Sequence, residues 1–528
     1  MKRLLKTSES PLKVKGRYLA RYNSIAGFLL ILLSGCATVD FDYPKTATSA
    51  FIDTSETQLG RQIAETLAEH DGVSGFLPLE DGVDALAMRF ALAERAERSI
   101  DTQYFLIHND VVGRAFVEAL LRAANRGVRV RLLLDDIHTD GLDPGLAILD
   151  VHPNIEVRLF NPFGNRSVKA MNAGSLGRLV RRMHNKSFTV DNQVTIIGGR
   201  NICDEYFGAP GAASFGDLDV AGIGPIVNDV SVMFDEYWNH RSALPMPALT
   251  KMPEEPEQAL ADLQSALAQS RTEIGTSKYA AAVRSSIYET LHGDKRAITF
   301  APYSLVYDSP DKSLPGADES AASIAASLRD SITDVEQELL IITPYLVLRN
   351  QELQGFQDLR DRDIDITVLT NSLAANNHTI SHSGYKPARK SLLKMGVKIY
   401  ETRADARLAG DEGIDRDAAK TTLHAKAFVV DQRRLFIGSF NWNQRSKNLD
   451  TEMGVIIESS ELATAFAERL HAIDLEKTYE VYLNENGRLR WKGVENGQQV
   501  ILSKEPQTSW WHRFTASFLS ILPIKSQL

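Results

Sequence analysis

Cysteine is scarce in this chain, because only Cys36 and Cys203 occur among 528 residues. If Cys36 is consumed by processing near the N-terminus, as argued below, Cys203 has no partner within the chain. The sequence therefore excludes a fold held together by intramolecular disulfides, even in an oxidising compartment. For Cys203 we expect a small buried apolar residue rather than a reactive thiol.

Long hydrophobic runs suited to several membrane spans are also missing. The apolar run near the N-terminus, IAGFLLILL at 25–33, has nine residues, whereas a spanning helix needs about 20. Hydrophobic residues make up 43% of the chain and charged residues 24%. These fractions are typical of a globular protein rather than a disordered or multispanning one, and the length suffices for two domain cores.

The N-terminal segment follows the order of an export signal. A stretch rich in Lys and Arg precedes the apolar run, and LSGC, ending at Cys36, resembles a bacterial lipoprotein cleavage box. We expect a lipoprotein signal segment at 1–36, lipidation of Cys36, and a tether and N-terminal extension at 37–74. This predicts a protein of the bacterial cell envelope, anchored to a membrane and facing the periplasm. Ala37 favours the outer membrane by analogy with lipoprotein sorting, and an uncleaved anchor is the alternative.

An excess of positive charge is lacking, since the net charge is −9. Nonspecific nucleic-acid binding favours a basic balance, so we expect no nucleic-acid partner. A local basic stretch nevertheless leads into residue 184 and comprises Arg166, Lys169, Arg178, Arg181 and Arg182. It either receives anionic lipid headgroups or forms a solvated loop.

The stretch MHNKSFTVDNQVTIIGGRN at 183–201 reads as a strand, a tight turn and a returning strand. Alternation along the first strand points His184 and Lys186 to the same side. Asp191 lies at the turn, an odd number of positions from His184, so it is expected to face away and brace the hairpin. The returning strand ends in two glycines, where a ligand can approach the backbone closely, and Asn201 follows them.

The same pattern occurs a second time in LHAKAFVVDQRRLFIGSFN at 423–441. It repeats the spacing of the first motif with His424, Lys426, Asp431, Ser439 and Asn441. Upstream strand-like runs match in the same order, and helical patterns alternate with them. The chain therefore consists of two related α/β halves. We assign the first lobe to 75–250, a helical linker to 251–290 and the second lobe to 291–485.

The doubled motif, His-x-Lys-x4-Asp-x6-Gly-(Gly/Ser)-x-Asn, resembles that of the phospholipase D superfamily. Similarity is closest to bacterial cardiolipin synthases of the branch called cardiolipin synthase C. NPF at 161–163, TNSLAANNHTISHSGY at 370–385 and LDTEMG at 449–454 add to this resemblance. It implies an α/β fold of two phospholipase D-like α/β/α lobes related by pseudo-twofold symmetry, with one shared active site. It also counts both motif aspartates among the catalytic residues.

The chemistry of a phosphodiester suits two histidines. A neutral imidazole can attack the anionic phosphorus and later leave, while a second imidazole protonates the departing alkoxide and deprotonates the incoming alcohol. By resemblance, His184 is the nucleophile and His424 the acid and base. The non-bridging oxygens need stabilising donors, which we expect to be Lys186, Lys426, Asn201 and Asn441, with Ser439 as a secondary contact. Neither a cofactor nor a metal is expected.

Each imidazole also needs a group that fixes its tautomer. Glu452 in DTEMG and Asp219 in GDLDVAG each precede an apolar strand, and they are the expected orienting acids. An exposed structural acid is the alternative for either residue. Near the C-terminus, within an extension at 486–528, aromatic residues recur every fourth position from Trp510 to Phe518. This amphipathic segment either lies in a bilayer interface or packs onto the second lobe.

The expected activity is phosphatidyl transfer that makes cardiolipin from phosphatidylglycerol and a phospholipid donor, which is phosphatidylglycerol or phosphatidylethanolamine. The expected partners are these phospholipids and a membrane surface, while protein partners are unknown. If water replaces the lipid alcohol, the chain is a phospholipase D making phosphatidic acid. A nucleic-acid phosphodiesterase and a non-catalytic lipid-binding scaffold are the further alternatives.

Overall fold

The fold was analysed on a computed structural model. It describes residues 39–520, except 167–168, 170–171, 173–175, 275–276, 293–297, 317–322 and 407–419. The predicted signal segment at 1–36, including Cys36, lies outside the described residues. In the part of the chain that is described, no helix combines the length and apolar character needed to cross a membrane.

Several helices begin where a short polar side chain caps the first turn. Asp81 Oδ1 accepts a hydrogen bond from Asp84 N at 3.0 Å, and Ser509 Oγ accepts one from His512 N at 3.1 Å. The helices are α1 (Gln58–Leu67), α2 (Gly82–Arg95), α3 (Val111–Asn125), α4 (Asp143–Leu149), α5 (Leu176–Leu179), α6 (Pro225–Asn239), α7 (Pro256–Ile274), α8 (Lys278–His292), α9 (Ile324–Ser331), α10 (Asn350–Arg360), α11 (Thr379–Lys394), α12 (Gln444–Asn448), α13 (Ser460–His471) and α14 (Trp510–Leu519).

Strands coincide with the short β-branched runs of the sequence, most of which are buried on both faces. They are β1 (Ser74–Leu79), β2 (Ser99–Tyr104), β3 (Arg129–Asp135), β4 (Ile155–Phe160), β5 (Ser187–Val190), β6 (Val194–Gly198), β7 (Ser214–Gly216), β8 (Asp219–Ile223), β9 (Ala243–Pro245), β10 (Thr299–Ala301), β11 (Tyr303–Tyr307), β12 (Glu338–Ile342), β13 (Asp365–Asn371), β14 (Lys398–Thr402), β15 (Thr421–Leu423), β16 (Ala427–Val430), β17 (Arg434–Gly438), β18 (Met453–Glu458), β19 (Thr478–Leu483), β20 (Leu489–Glu495) and β21 (Gln498–Leu502).

Two large mixed sheets repeat one topology. The first has the order β10-β1-β8-β6-β5-β2-β3-β4-β9, and the second has β11-β18-β17-β16-β12-β13-β14-β19-β20-β21. In each, three parallel strands adjoin an antiparallel hairpin that carries the end of one motif. The prediction of two related α/β lobes is confirmed.

The lobe edges differ from the sequence boundaries in two places. Strand β10, within the segment assigned to the second lobe, pairs with β1 at the edge of the first sheet. Strands β20 and β21, both of which fall in the predicted C-terminal extension, complete the second sheet. The predicted linker is helical, and its helices α7 and α8 pack on α3 and α2 of the first lobe.

The lobes share a hydrophobic core along their contact. Met183 and Ile197 of the first half join Ala425, Val429 and Ile437 of the second half in one cluster of buried side chains. A small parallel sheet adds a backbone link, because β7 pairs with β15 in the other half. The two motifs are therefore held by one continuous interface.

Candidate active site

The first motif is held in place by the opposite lobe. His184 N donates a hydrogen bond to Thr451 O at 2.9 Å, next to an isolated bridge between Met183 and Thr451. His184 Nδ1 lies 2.8 Å from Glu452 Oε2, with the carboxyl group fully buried. Since a carboxylate accepts the Nδ1 proton, this contact leaves the Nε2 lone pair free.

The second motif is held in the reciprocal way. His424 N donates to Gly216 O at 2.7 Å, at the end of β7 from the first half. His424 Nδ1 lies 2.5 Å from Asp217 Oδ2. Each lobe thus contributes one histidine to the site and the carboxylate that orients the histidine of the other lobe.

Asp217 replaces Asp219, which the sequence analysis expected to orient an imidazole. The Asp219 carboxylate instead contacts Arg89 Nη2 at 2.8 Å and accepts a hydrogen bond from Arg200 N at 3.1 Å. It is a buried ion-pair partner within the first lobe, so the expectation for Asp219 is wrong.

Strand register explains this correction. Gly198 pairs with Asp219 in the first sheet, and Gly438 pairs with Gly454 in the second. Asp219 is therefore the counterpart of Gly454, and the residue two positions before it, Asp217, is the counterpart of Glu452.

The residue that follows the second strand of each hairpin, Gly199 or Ser439, lies next to the orienting acid. A side chain at Gly199 would place its Cβ 2.1 Å from Asp217 Oδ1, so only glycine fits there. Its counterpart Ser439 donates from Oγ to Glu452 Oε2 at 2.5 Å and accepts from Met453 N at 3.0 Å. The Ser439 hydroxyl is thus engaged with Glu452, whereas the sequence analysis placed it against substrate phosphate.

The two motif lysines are buried beside the histidines. Lys186 Nζ donates to His184 O at 2.6 Å, and Lys426 Nζ lies 3.1 Å from His424 Nε2. Burial lowers the pKa of Lys186 to about 7 and that of Lys426 to about 8. Two cations held out of water in this way can stabilise an anionic phosphate strongly.

The surroundings of both imidazoles favour the neutral form. Burial, followed by the charges of Lys186 and Lys426, lowers the pKa of His184 well below its ordinary value. Burial and then Lys426 lower the pKa of His424 to about 3. The action of Lys426 on His184 shows that the motifs share one electrostatic environment, in which a neutral imidazole can act as a nucleophile.

The two orienting acids differ in their protonation. Burial raises the pKa of Glu452 to about 6, because the charge of Lys186 compensates only in part. Burial acts in the same direction on Asp217, but Lys426 and His424 outweigh it and lower the pKa of Asp217 below its usual value. Near neutral pH Asp217 is firmly ionised, whereas Glu452 lies close to its titration range.

Asn201 and Asn441 are buried at the ends of the two motifs. They are 1% and 5% exposed, and within the described chain neither side-chain carbonyl oxygen has a hydrogen-bond partner. Asn201 Nδ2 donates to Tyr206 Oη at 3.0 Å. Because a carbonyl oxygen only accepts, these two buried atoms suit a hydroxyl or N–H donor of a ligand rather than the oxygens of a phosphate.

Asp191 and Asp431, included among the catalytic residues by resemblance, lie at the turns of the two hairpins. Asp191 accepts hydrogen bonds from Arg98 N and Ser99 N at 2.8 and 2.9 Å. Asp431 accepts from Gln337 N and Glu338 N at 2.7 and 2.9 Å. Both carboxylates fix the backbone where a parallel strand begins. Asp191 and Asp431 therefore support the fold, which corrects the direct catalytic role expected from the resemblance.

Aromatic side chains that the sequence analysis did not assign surround the histidines. Tyr206 Oη lies 3.4 Å from His424 Nε2, and the Phe215 ring stacks on His424 at a centroid distance of 5.7 Å. The Phe105 ring meets His184 edge-on at 4.9 Å. The only available signal was proximity, since Tyr206 follows Asn201 and Phe215 precedes Asp217 along the chain.

The basic stretch before the first motif is engaged with the protein itself. Arg181 donates to the backbone oxygens of Lys312 and Asn448 at 3.0 and 3.2 Å, thus crossing to the second half. Ion pairs join Arg166 to Asp136, Lys169 to Asp140 and Arg182 to Asp135. These contacts fix the loop to the rest of the protein. They argue against the prediction that the basic stretch receives anionic lipid headgroups.

A second group of potential ligands lies beside the site. His108, Asp110, Cys203 and Glu205 place ligand atoms within 4.8 Å of one another. Asp110 already accepts a hydrogen bond from Gly113 N at 2.8 Å as the cap of α3. Helix capping accounts for its position, and burial raises the pKa of the Cys203 thiol, as expected for an unreactive buried residue.

Comparisons with known proteins agree with this geometry. The family model described as "Cardiolipin synthase, PLD-like domain" matches residues 90–210 and 328–473. Cardiolipin synthase C of Escherichia coli (strain K12) is 40% identical over 473 residues, which cover 89% of this chain and 99% of that protein. An uncharacterized protein of Helicobacter pylori (strain ATCC 700392 / 26695) is 28% identical over 505 residues, covering 94% of this chain and 97% of that one.

Among solved structures, the phosphatidylserine synthase of Haemophilus influenzae Rd KW20 superposes with a TM-score of 0.53 at 13% sequence identity. The match covers 88% of this chain and 100% of that one. At this identity the likeness concerns the fold, and it extends over both lobes.

Proposed function

This chain belongs to the PLD-like domain family of cardiolipin synthases, and we propose that it transfers a phosphatidyl group from one phospholipid to the hydroxyl of another. The product is cardiolipin when the acceptor is phosphatidylglycerol. The donor is a second phosphatidylglycerol or a phosphatidylethanolamine.

The observation that carries this proposal is the reciprocal pair of histidine–carboxylate contacts. His184 and Glu452 form one pair, and His424 and Asp217 form the other, with each pair drawn from both lobes. Two imidazoles with Nδ1 bound have two Nε2 atoms available for chemistry. A phosphodiester exchange needs this combination, since one nitrogen attacks phosphorus and the other moves a proton.

In the first step, His184 Nε2 attacks the phosphorus and the bond to the leaving alcohol breaks. When the anionic phosphodiester binds, His424 takes up a proton from water at Nε2; it then gives this proton to the departing oxygen, so that a phosphohistidine and a neutral alcohol result. In the second step, His424 takes the proton of the acceptor hydroxyl, whose oxygen attacks phosphorus and expels His184. The product then differs from the donor only in the alcohol bound to phosphorus, one P–O bond is formed for each one broken, and no net charge is created.

The assignment of the acid follows from the two carboxyl groups. An imidazolium is stabilised better beside the ionised Asp217 than beside Glu452, whose pKa is raised to about 6 by burial. The anionic phosphodiester adds a second negative charge when it binds, which raises the tendency of His424 to hold a proton. His184 therefore serves as the nucleophile and His424 as the acid and base.

The lysines and asparagines complete the phosphate site. Lys186 and Lys426 lie within their motifs beside the reactive imidazoles, and the Nδ2 groups of the buried Asn201 and Asn441 amides can donate further hydrogen bonds to phosphate oxygens. Donors fixed before the reaction stabilise the charge on the non-bridging oxygens without reorganisation.

The proposed location is the bacterial envelope, with a lipid on Cys36 tethering the protein to a membrane on its periplasmic side. The support is the sequence pattern that ends in LSGC, and Ala37 favours the outer membrane. A lipid anchor would keep the site close to its phospholipid substrates.

The test is mass spectrometry of lipids after incubation of the purified chain with phosphatidylglycerol, with and without phosphatidylethanolamine. Cardiolipin together with released glycerol or ethanolamine supports transfer and identifies the donor. His184→Ala should form none. His471→Ala is a matched control, because this histidine has a 47% exposed side chain on α13. Phosphatidic acid as the sole product would overturn transfer in favour of hydrolysis.

A further inference from the structure

The C-terminal helix α14 presents an uncovered aromatic face. Trp510, Trp511, Phe514 and Phe518 are 59%, 67%, 49% and 55% exposed. Their rings stack on one another, with centroids 5.3 Å apart for Trp510 and Phe514. A patch of this kind on a folded protein marks a surface that another apolar phase covers.

The opposite side of α14 is fixed to the second lobe. Ala516, opposite the aromatic face, is fully buried. Ser517 lies seven residues after Trp510 and therefore at the edge of that face, where its Oγ accepts a hydrogen bond from Lys386 Nζ of α11 at 2.6 Å. The turn before α14 is anchored by a buried ion pair between Glu505 and Arg389 at 2.6 Å. The aromatic face therefore points outward because the helix is mounted rigidly by its other side.

The charged side chains of α11 and α14, the two helices at this surface, are all basic. Helices α11 and α14 contain no Asp or Glu, although the whole chain has a net charge of −9. Lys386, Lys390 and Lys394 recur every fourth residue and so follow one face of α11. This row starts at the contact with Ser517, so a basic strip borders the aromatic face.

The same two helices adjoin the candidate active site. Asn377, two residues before α11, accepts a hydrogen bond from Tyr345 Oη at 2.6 Å, and the Tyr345 ring lies 6.4 Å from His424. Burial lowers the pKa of His512 on α14, and the charge of Lys420, four residues before His424, lowers it further. Helix α14 thus lies beside the segments that lead into the site.

We propose that the aromatic face of α14 and the lysine row of α11 form a docking surface for an anionic phospholipid bilayer. Tryptophan and phenylalanine side chains occupy the interfacial layer, while lysines contact the headgroup phosphates. The bilayer is favoured as the occupant because the basic strip borders the apolar face and the adjoining site is suited to phosphodiesters. This inference rests on the proposed lipid substrate and adds the orientation in which the site meets the membrane.

The direct test uses the full chain and vesicles of phosphatidylglycerol and phosphatidylcholine with brominated acyl chains. The chain has five tryptophans, of which Trp238 and Trp491 are buried and Trp442 is partly covered. Bromine quenches tryptophan only at contact, so quenching reports Trp510 and Trp511. We expect strong quenching that disappears in Trp510→Phe/Trp511→Phe, and the absence of quenching in the wild-type chain would overturn the proposal.

The functional test compares vesicles with detergent micelles. Trp510→Ser/Trp511→Ser should lower cardiolipin formation on vesicles by about tenfold or more, because interfacial burial of both side chains is lost. On phosphatidylglycerol dispersed in micelles, the same variant should keep wild-type activity within about twofold. Val232→Ser is the matched control, since Val232 is 50% exposed on α6. Equal losses on vesicles and micelles would overturn the docking role and indicate a structural one.

The lysine row has a separate readout. Lys390→Gln/Lys394→Gln should weaken binding to phosphatidylglycerol vesicles and leave binding to pure phosphatidylcholine vesicles unchanged. Unchanged binding to both vesicle types would remove the lysines from the surface. If vesicle quenching occurs but no lipid product forms in micelles, the proposed function fails while the docking surface stands.

Discussion

The two halves of the site start from the same motif and differ in the acid that orients the histidine. His184 contacts Glu452, which also accepts a hydrogen bond from the Ser439 hydroxyl. His424 contacts Asp217, and the position equivalent to Ser439 is Gly199, which leaves space for the carboxylate. Asp217 is ionised more readily because Lys426 and His424 lower its pKa, whereas Lys186 and the Ser439 hydroxyl only partly offset the effect of burial on the pKa of Glu452.

This difference separates the roles of two otherwise equivalent imidazoles. Lys426 and His424 lower the pKa of Asp217 against the effect of burial, whereas burial raises the pKa of Glu452 to about 6. An ionised carboxylate supports a cationic imidazole, and a carboxyl group near its titration range supports a neutral one. Duplication provides two histidines, and in the proposed mechanism their surroundings make one an acid and the other a nucleophile.

Loss of either imidazole should have the largest effect. His184→Ala and His424→Ala should each abolish turnover of natural lipids, because attack and proton transfer need separate nitrogens. A phosphodiester with a nitrophenol leaving group needs no protonation. With it, His424→Ala should accumulate phosphate on His184, detectable by intact-protein mass spectrometry, while His184→Ala should accumulate none. The reverse pattern would exchange the two roles.

Neutralising the orienting acids should separate the halves further. We expect Asp217→Asn to lower the rate by on the order of 10³–10⁴-fold, since the amide no longer stabilises the imidazolium. Glu452→Gln should cost on the order of 10²-fold, because its carboxyl group is closer to neutrality. Steady-state rates with phosphatidylglycerol would measure both.

Asp219→Asn is the matched control for Asp217→Asn, because it changes the acid two residues away. It should lower the melting temperature through its buried contact with Arg89 and change the rate of the folded enzyme by no more than about threefold. A rate loss as large as that of Asp217→Asn would contradict the assignment of the orienting acid.

The pH dependence should be bell-shaped, with limbs that belong mainly to the first half. As pH falls through about 6, Glu452 gains a proton and no longer accepts from His184. As pH rises through about 7, Lys186 loses its charge and the phosphate loses a stabilising partner. Rates should fall about tenfold per pH unit on each side. Glu452→Gln should flatten the acid limb, and an unchanged acid limb would assign it elsewhere.

The motif aspartates should give the smallest effect on catalysis. Asp191→Asn should lower the free energy of unfolding by about 1–3 kcal/mol, because its carboxylate binds several backbone N–H groups. Asp431→Asn should cost less, since its surroundings are more exposed. Denaturant unfolding measures both, and rates per folded molecule should be unchanged. A hundredfold loss of rate in a folded variant would return these residues to the catalytic site.

The correction from Asp219 to Asp217 shows how far local pattern extends. Asp217 lies just before the apolar strand β8 and Asp219 is its first residue, so composition favours them equally. The choice depends on the pairing of Gly198 with Asp219 in the sheet, which is a contact between distant parts of the chain. Tyr206 and Phe215 escaped notice for the same reason, because only the packing of the lobes brings them to His424.

The sequence by itself determined the two α/β halves, the doubled motif and the six motif residues at equivalent positions. Strand alternation and residue spacing are local properties, so they can be read along the chain. Tertiary structure decided which acid serves which histidine, since Asp217 and Glu452 each cross to the other lobe. It also decided the pKa values of the lysines, histidines and acids, because burial and neighbouring charge arise only when the two lobes close around one site.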